Sequence, residues 1–358
     1  MSSSHAWRTI AWGLFASASW TWCIGMFLPF IMLRDYGWAG FLTFAIPNVI
    51  GCAAFGYLVD RDCMRGLRER LGPWPARFTM ATIIFQAAFA GWMLPPAIAL
   101  ACVVAGFLLS WCRSRSWLVL SVVIGTITLA CLLSGNAGDA QGIAMTGARP
   151  LAELGFLAPA IALGFVLCPY LDLTFHRTLA ESPSRHCFGV FGIAFAATLT
   201  GIAWLFDPST GAPRASSGLL VLWAAQLAFT IGAHGRERLS PLAGEDRGSP
   251  FSLGVAITVA LFAGWLLRVG PGAGSLLGES CYLRYLGLYG LVFPFMLLFR
   301  VRGVRGAWPW IAVLVGIPCY EAAFVHHATG WIILPILLLG VLLWRHWDND
   351  ETKDTCLP

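Results

Sequence analysis

Residues 154–175 read LGFLAPAIALGFVLCPYLDLTF, and Asp172 is the single charge among them. An apolar run of that length crosses the roughly 30 Å hydrocarbon layer as a helix, which closes its own backbone hydrogen bonds where no water can. Runs of the same kind flank it at 8–33, 38–59, 77–94, 95–112 and 117–134, then at 187–206, 217–234, 251–270, 281–300, 307–327 and 330–346. Together they predict an all-α, polytopic integral membrane protein of about 12 transmembrane helices, and a mean hydropathy of +0.73 with 11% charged residues agrees. Pro95-Pro96 alone must turn the chain between spans 3 and 4. The longest polar segments are the arginine-rich 60–76 and the Gly-rich 135–153, so residues 1–358 form a single transmembrane domain. The tail from Asp348 to Glu351 is short, acidic and expected to be disordered.

The basic residues set the topology, because cytoplasmic loops of membrane proteins are enriched in Lys and Arg. Arg8, Arg61, Arg65, Arg68, Arg70, Arg77, Arg113, Arg115, Arg177, Arg185, Arg236, Arg238, Arg247, Arg300, Arg302, Arg305, Arg345 and Lys353 fall on one side. Arg34, Arg149, Arg214, Arg268 and Arg284 fall on the other, and the loops alternate strictly. Both termini are therefore predicted to be cytoplasmic, in a multi-pass protein of the cell membrane, a bacterial inner membrane being the expected setting. The net charge of +5 follows from this bias and implies no nucleic acid. The first span is too long for a signal-peptide core and is expected to be retained. Eleven cysteines, several inside spans, imply no disulfide framework, and the seven histidines, mostly near span ends, give a metal site little support. Trp7, Trp38, Trp74, Trp92, Trp111, Trp117, Trp204, Trp308, Trp331 and Trp347 sit near span ends as interface anchors do, whereas Trp20 and Trp22 do not.

Those two tryptophans lie mid-span in Ser17-Ala18-Ser19-Trp20-Thr21-Trp22-Cys23-Ile24-Gly25. Such a cluster lines a cavity, or its hydroxyls bond back to carbonyls one turn earlier while the indoles pack on neighbours. Span 6 carries Gly164-Phe165-Val166-Leu167-Cys168-Pro169-Tyr170-Leu171-Asp172, where proline removes a backbone bond and an acid follows within a turn. The bland reading is a simple kink, with Asp172 paired to His176 or Arg177 near the inner surface. The two interruptions are five spans apart, so they lie in helices of opposite direction. A broken helix in each half of an inverted repeat points to a transporter binding site. The pattern suggests a five-plus-five inverted repeat plus two C-terminal helices, with suspected halves 8–134 and 154–270 and extra helices in about 281–346.

On Ala18-Ser19-Trp20-Thr21-Trp22, the link Arg34-Asp35-Tyr36-Gly37-Trp38-Ala39-Gly40, and Ile46-Pro47-Asn48 with Gly51 and Gly56, the chain resembles the sodium:solute symporters. More broadly it resembles the amino acid–polyamine–organocation superfamily, with its five-plus-five inverted repeat. The resemblance covers about 50 residues together with the topology. It implies a central substrate site among helices 1, 3, 6 and 8, and a cation between helices 1 and 8. Helix-1 backbone near Ser17 to Thr21 would then offer carbonyls and Thr230 a hydroxyl, with Gln226 one turn before it. The family's usual adjacent hydroxyls on helix 8 are replaced by Phe229 and Ile231. The chain is also short for such a transporter, which makes external gating helices unexpected.

Candidate substrate contacts are therefore Ser19, Trp20, Trp22, Gln86, Cys168, Pro169 and Tyr170. Candidates for cation coupling are Ser17, Thr21, Asp172, Gln226, Thr230 and Glu321. Glu321 is the acid most clearly inside hydrocarbon; it needs a proton or a partner, for which Arg268 and Arg284 are the available cations. Asn48 reads as an amide that joins helices. The expected function is secondary active transport of a small organic solute by alternating access around helices 1 and 6, coupled to sodium or protons. Neither enzymatic activity nor a metal is expected, and no cofactor beyond the coupling ion. The expected partners are membrane lipid and a small-molecule or ion substrate. A membrane receptor or scaffold that binds without transporting stays open, as does an integral-membrane transferase using His176 beside Arg177 and Asp172.

Overall fold

A backbone in hydrocarbon satisfies itself only through helices, and this chain is helical almost throughout. The computed structural model describes residues 3–135, 144–214, 216–270 and 275–345. Trp347, Lys353, the tail at 348–351 and part of the Gly-rich stretch, 136–143, lie outside the described residues.

The first pass is α1 (Ser3–Trp20) followed by the beginning of α2 (Cys23–Ile46). Gly37 turns α2 back with φ 64° and ψ −153°, a conformation that L side chains rarely adopt, so the rest of α2 opens the second pass. Pro47 begins a π-helical turn, Pro47–Gly51, before α3 (Cys52–Leu58) completes that pass. The arginine-rich stretch is not a simple loop. Asp60 caps α4 (Arg61–Leu71), which buries Cys63, Met64, Leu67 and Leu71 and turns arginines outward.

The third pass is α5 (Trp74–Met93), starting three residues earlier than predicted, and the fourth is α6 (Pro96–Leu109). Leu94 and Pro95 alone, both extended, join them. α7 (Ser114–Gly135) is the fifth pass. The sixth is α8 (Ala152–Leu167), a 3-10 turn at Cys168–Tyr170, and α9 (Leu173–Glu181). α10 (Cys187–Ala203) is the seventh, followed by a two-residue hairpin of β1 (Phe206–Asp207) and β2 (Ala212–Pro213).

The eighth pass, α11 (Ser217–Leu239), continues past the predicted end at residue 234. α12 (Pro250–Val269) is the ninth. The tenth is α13 (Ser275–Gly287), a π-helical turn at Leu288–Val292 and α14 (Phe293–Val301). The eleventh is α15 (Trp308–Tyr320) with a π-helical turn at Glu321–Val325. The last is a 3-10 turn, Thr329–Ile332, and α16 (Ile333–Arg345). Several of these helices are long and apolar enough to cross a membrane uninterrupted, and the protein is a polytopic helical membrane protein.

Passes 3 and 9 pack along each other, as do passes 8 and 4. Glycines set both approaches. A Cβ on Gly264 would collide with the Ala88 carbonyl, and one on Gly106 would lie 2.9 Å from the Ala228 carbonyl, so side chains at these positions would push the backbones apart. The contacts repeat when passes 1–5 are exchanged, in order, with passes 6–10. Pass 1 meets passes 5, 7 and 8, and pass 6 meets passes 10, 2 and 3.

Candidate functional site

Helix 1 breaks without a proline. Trp22 is extended, with φ −74° and ψ 177°, and its N–H turns to the Trp20 carbonyl at 2.7 Å. The freed groups find partners on distant helices. Cys23 N–H donates to Gln86 Oε1 of α5 at 3.1 Å, and the Cys23 carbonyl accepts from the Tyr282 hydroxyl of α13 at 3.1 Å. Unpaired backbone in this environment is expensive, so these two contacts hold the interruption open.

Helix 6 breaks at Pro169, and Asp172 restarts it as the N-cap of α9. Its Oδ1 accepts from Thr174 N–H at 2.7 Å and from the Thr174 hydroxyl at 2.8 Å. Asp172 pairs with neither His176 nor Arg177. His176 Nε2 lies 3.0 Å from the Tyr170 carbonyl, while Arg177 grips Glu237 of α11 at 2.9 Å and Glu181 at 2.9 Å. The three groups that a transferase would need therefore do not converge.

The two breaks meet. The Ser19 hydroxyl lies 3.0 Å from Thr174 Oγ1, which links helix 1 through Thr174 to Asp172. From α11, His234 Nε2 stands 3.8 Å from Asp172 Oδ2 and 3.4 Å from the Ser19 carbonyl. Asp172, Thr174, Ser19 and His234 are all fully buried. Among the described residues, Asp172 Oδ2 and His234 Nδ1 have no hydrogen-bond partner, so the junction holds unspent polar capacity where its loss costs most. His234 escaped the sequence reading because α11 was taken to end there. One further helical turn, which carries the partly buried Arg236 and Arg238, places it inside the helix and in the interior.

The helix-1 carbonyls are largely engaged by the protein itself. Ser17 O accepts from both the N–H and the hydroxyl of Thr21, at 2.9 and 2.8 Å. Ser19 O accepts from the Trp22 indole at 2.6 Å, and the Thr230 hydroxyl reaches Ala18 O at 3.4 Å.

Several candidates point elsewhere. Trp20 and Trp22 are buried among other aromatic side chains. Their rings pack on each other at 4.5 Å and are enclosed by Phe175, Phe78, Tyr289 and His234, while the Trp20 indole donates to Asn48 at 2.8 Å. Cys168 donates through sulfur to the Tyr289 carbonyl, and Tyr170 packs edge-on against Phe55. Gln226 turns away from the breaks to bond Thr128 of α7 at 2.8 Å. Glu321 lies in the π-helical turn of pass 11, where Arg284 holds it at 2.5 Å and His326 stands 3.4 Å away, and Arg268 instead donates to the Leu94 carbonyl.

Ion pairs tie the passes together at both ends of the molecule. At the arginine-poor end, Arg34 bridges Asp35 and Glu279 of α13 at 2.8 and 2.7 Å, and the Tyr36 hydroxyl donates to Glu153 at 2.8 Å. At the arginine-rich end, the Arg177–Glu237 pair joins α9 to α11, and Arg236 donates to Ser114 at 2.7 Å.

The chain matches no protein-family model and no curated protein. Among solved structures it is similar to the Eremococcus coleocola manganese transporter, crystallised with an aromatic bis-isothiourea substituted compound. That likeness has 13% identity and a TM-score of 0.42, over 96% of this chain and 92% of that one.

Proposed function

We propose that this protein is a secondary active transporter of a small organic solute, working by alternating access around the breaks in passes 1 and 6. The observation that carries the reading is the direct apposition of the two breaks, Ser19 against Thr174 and Asp172, in a buried junction capped by His234. Interrupted helices of opposite direction that meet inside a bundle suit a site reached from either side of the membrane. The repetition of contacts under exchange of passes 1–5 with passes 6–10 supports an inverted five-plus-five repeat of the amino acid–polyamine–organocation type. Pass 10 contacts pass 6 as pass 5 contacts pass 1, which favours ending the second half near Val301 rather than at residue 270. In this reading the arginine-rich side and both termini are cytoplasmic, and the Arg34–Glu279 and Arg177–Glu237 ties are outer and inner gates.

The coupling ion that fits best is the proton. Sodium would need free oxygens at the helix-1 break, and those of Ser17 and Ser19 already accept from two and one protein donors, with His234 close to the second. The Asp172–His234 pair offers instead two groups able to take up or release a proton between helix 6 and helix 8. The test is thermal unfolding of the purified protein in sodium, potassium and choline at matched ionic strength, from about pH 5 to pH 8, since selective binding raises apparent stability. The expected result is a pH response that Asp172→Asn removes, with no preference for sodium. A sodium-specific rise lost in Thr230→Ala would overturn the choice of proton, and indifference to both would remove coupled transport.

A further inference from the structure

Above the paired breaks, toward the outer side, lies a cavity of about 80 Å³. Its walls are the second half of pass 1, the first half of pass 6 and the two π-helical turns of passes 10 and 11, with Ile24, Leu28, Ile161, Tyr289, Gly290 and Phe324 among the lining residues. Two π-helical turns facing one space are an independent sign of a site, because such turns are rare and concentrate where function needs a displaced backbone. Tyr289 joins this cavity to the junction below, since its ring packs 5.2 Å from Trp22 and its carbonyl accepts from Cys168.

The wall chemistry restricts the occupant. Polar groups that reach the cavity are already committed: Asp35 to Arg34, the Tyr36 hydroxyl to Glu153, the Tyr289 hydroxyl to Thr82 at 3.2 Å, and the Tyr320 hydroxyl to the Leu283 carbonyl at 2.9 Å. A zwitterion or a sugar would leave most of its own polar groups unpaired there. Tyr289, Tyr320, Phe324 and Phe165 present ring surface instead. His327 is the exception. It follows the π-helical turn by two residues in a left-handed conformation, φ 59°, which costs a non-glycine residue energy and sets its half-buried imidazole at the outer end of the cavity. The volume is about half that of an apolar cavity known to hold benzene, which limits the occupant to at most a single ring beside the imidazole.

We infer that this cavity is the outer binding site for a small, neutral, aromatic solute with one hydrogen-bonding group, held by the two π-helical turns and read by His327. The inference rests on the transporter reading only in treating that solute as the cargo. Binding is tested without transport, using carbon-14 phenol, one ring with one hydroxyl, and the full-length protein in lipid nanodiscs, with empty nanodiscs subtracted for partitioning. Saturable binding is expected, uncompeted by L-alanine or glucose. Gly290→Leu fills the cavity without straining the backbone, because a Cβ there meets only Tyr320, at 3.6 Å, and it should weaken binding at least about tenfold. His327→Ala, outside the packed interior, should weaken it about fivefold, the worth of one neutral hydrogen bond. Absence of saturable binding, equal competition by L-alanine and glucose, or wild-type affinity in both variants would each overturn the assignment. Saturable binding without phenol-evoked proton entry into proteoliposomes would keep the site and remove the transporter reading.

Discussion

Asp172 separates fold from function through two substitutions. Asp172→Ala deletes the acceptor for the Thr174 N–H and hydroxyl, now 2.7 and 2.8 Å away. Loss of an N-cap costs about 1 kcal/mol. A hydroxyl stranded in a buried site adds about 1–3 kcal/mol, so the alanine variant should be less stable by about 2–4 kcal/mol. Asp172→Asn keeps an amide oxygen at the Oδ1 position and caps a helix about as well as aspartate, so its cost should stay below about 1 kcal/mol. Both variants lose the carboxylate that stands 3.8 Å from His234, and both should lose solute-evoked proton entry in proteoliposomes loaded with a pH-sensitive dye. Denaturant unfolding in mixed micelles measures the first effect and dye fluorescence the second. Equal destabilisation by Asn and Ala would refute the capping argument, and normal proton entry in the Asn variant would refute the role given to Asp172.

Three further outcomes follow from the same contacts. Gln86→Leu strands the Cys23 N–H at the helix-1 break and should cost about 1–3 kcal/mol in denaturant unfolding. Gly264→Leu forces apart the backbones of passes 3 and 9 where they touch at Ala88, and a loss of at least about 3 kcal/mol, or failure to yield monodisperse protein, is expected in size-exclusion and melting assays. Glu237→Gln removes the fully buried partner of Arg177; Glu181 stays in reach, so the expected cost is about 3 kcal/mol, at the low end for a broken buried pair.

The break in pass 6 was legible because its cause is local: Pro169 lacks a donor and Asp172 can restart the helix. The break in pass 1 was visible only as an unusual cluster, since what holds it open are Gln86 and Tyr282, far along the chain. Trp20 and Trp22 looked like ligand-stacking groups because sequence cannot tell an indole facing a cavity from one facing Phe175 or Tyr289. The hydroxyl of Thr21 took the bland course, bonding back to Ser17. The π-helical turns at 288–292 and 321–325 have no strong sequence signature, and with them the outer cavity was missed. The arginine pattern did not foresee that α4 would pack an apolar face against the bundle.

Alternating access is tested most directly by the distance between passes 6–7 and passes 4–5 at the arginine-rich face. Spin labels at Arg113→Cys and Arg185→Cys, both exposed positions, in a background without reactive surface cysteines, report it by double electron–electron resonance in nanodiscs. Two distance populations are predicted, exchanging weight with pH and shifted toward the longer distance by Glu237→Gln, which opens the inner tie. A single distance that ignores pH and survives Glu237→Gln unchanged would contradict a rocking transporter.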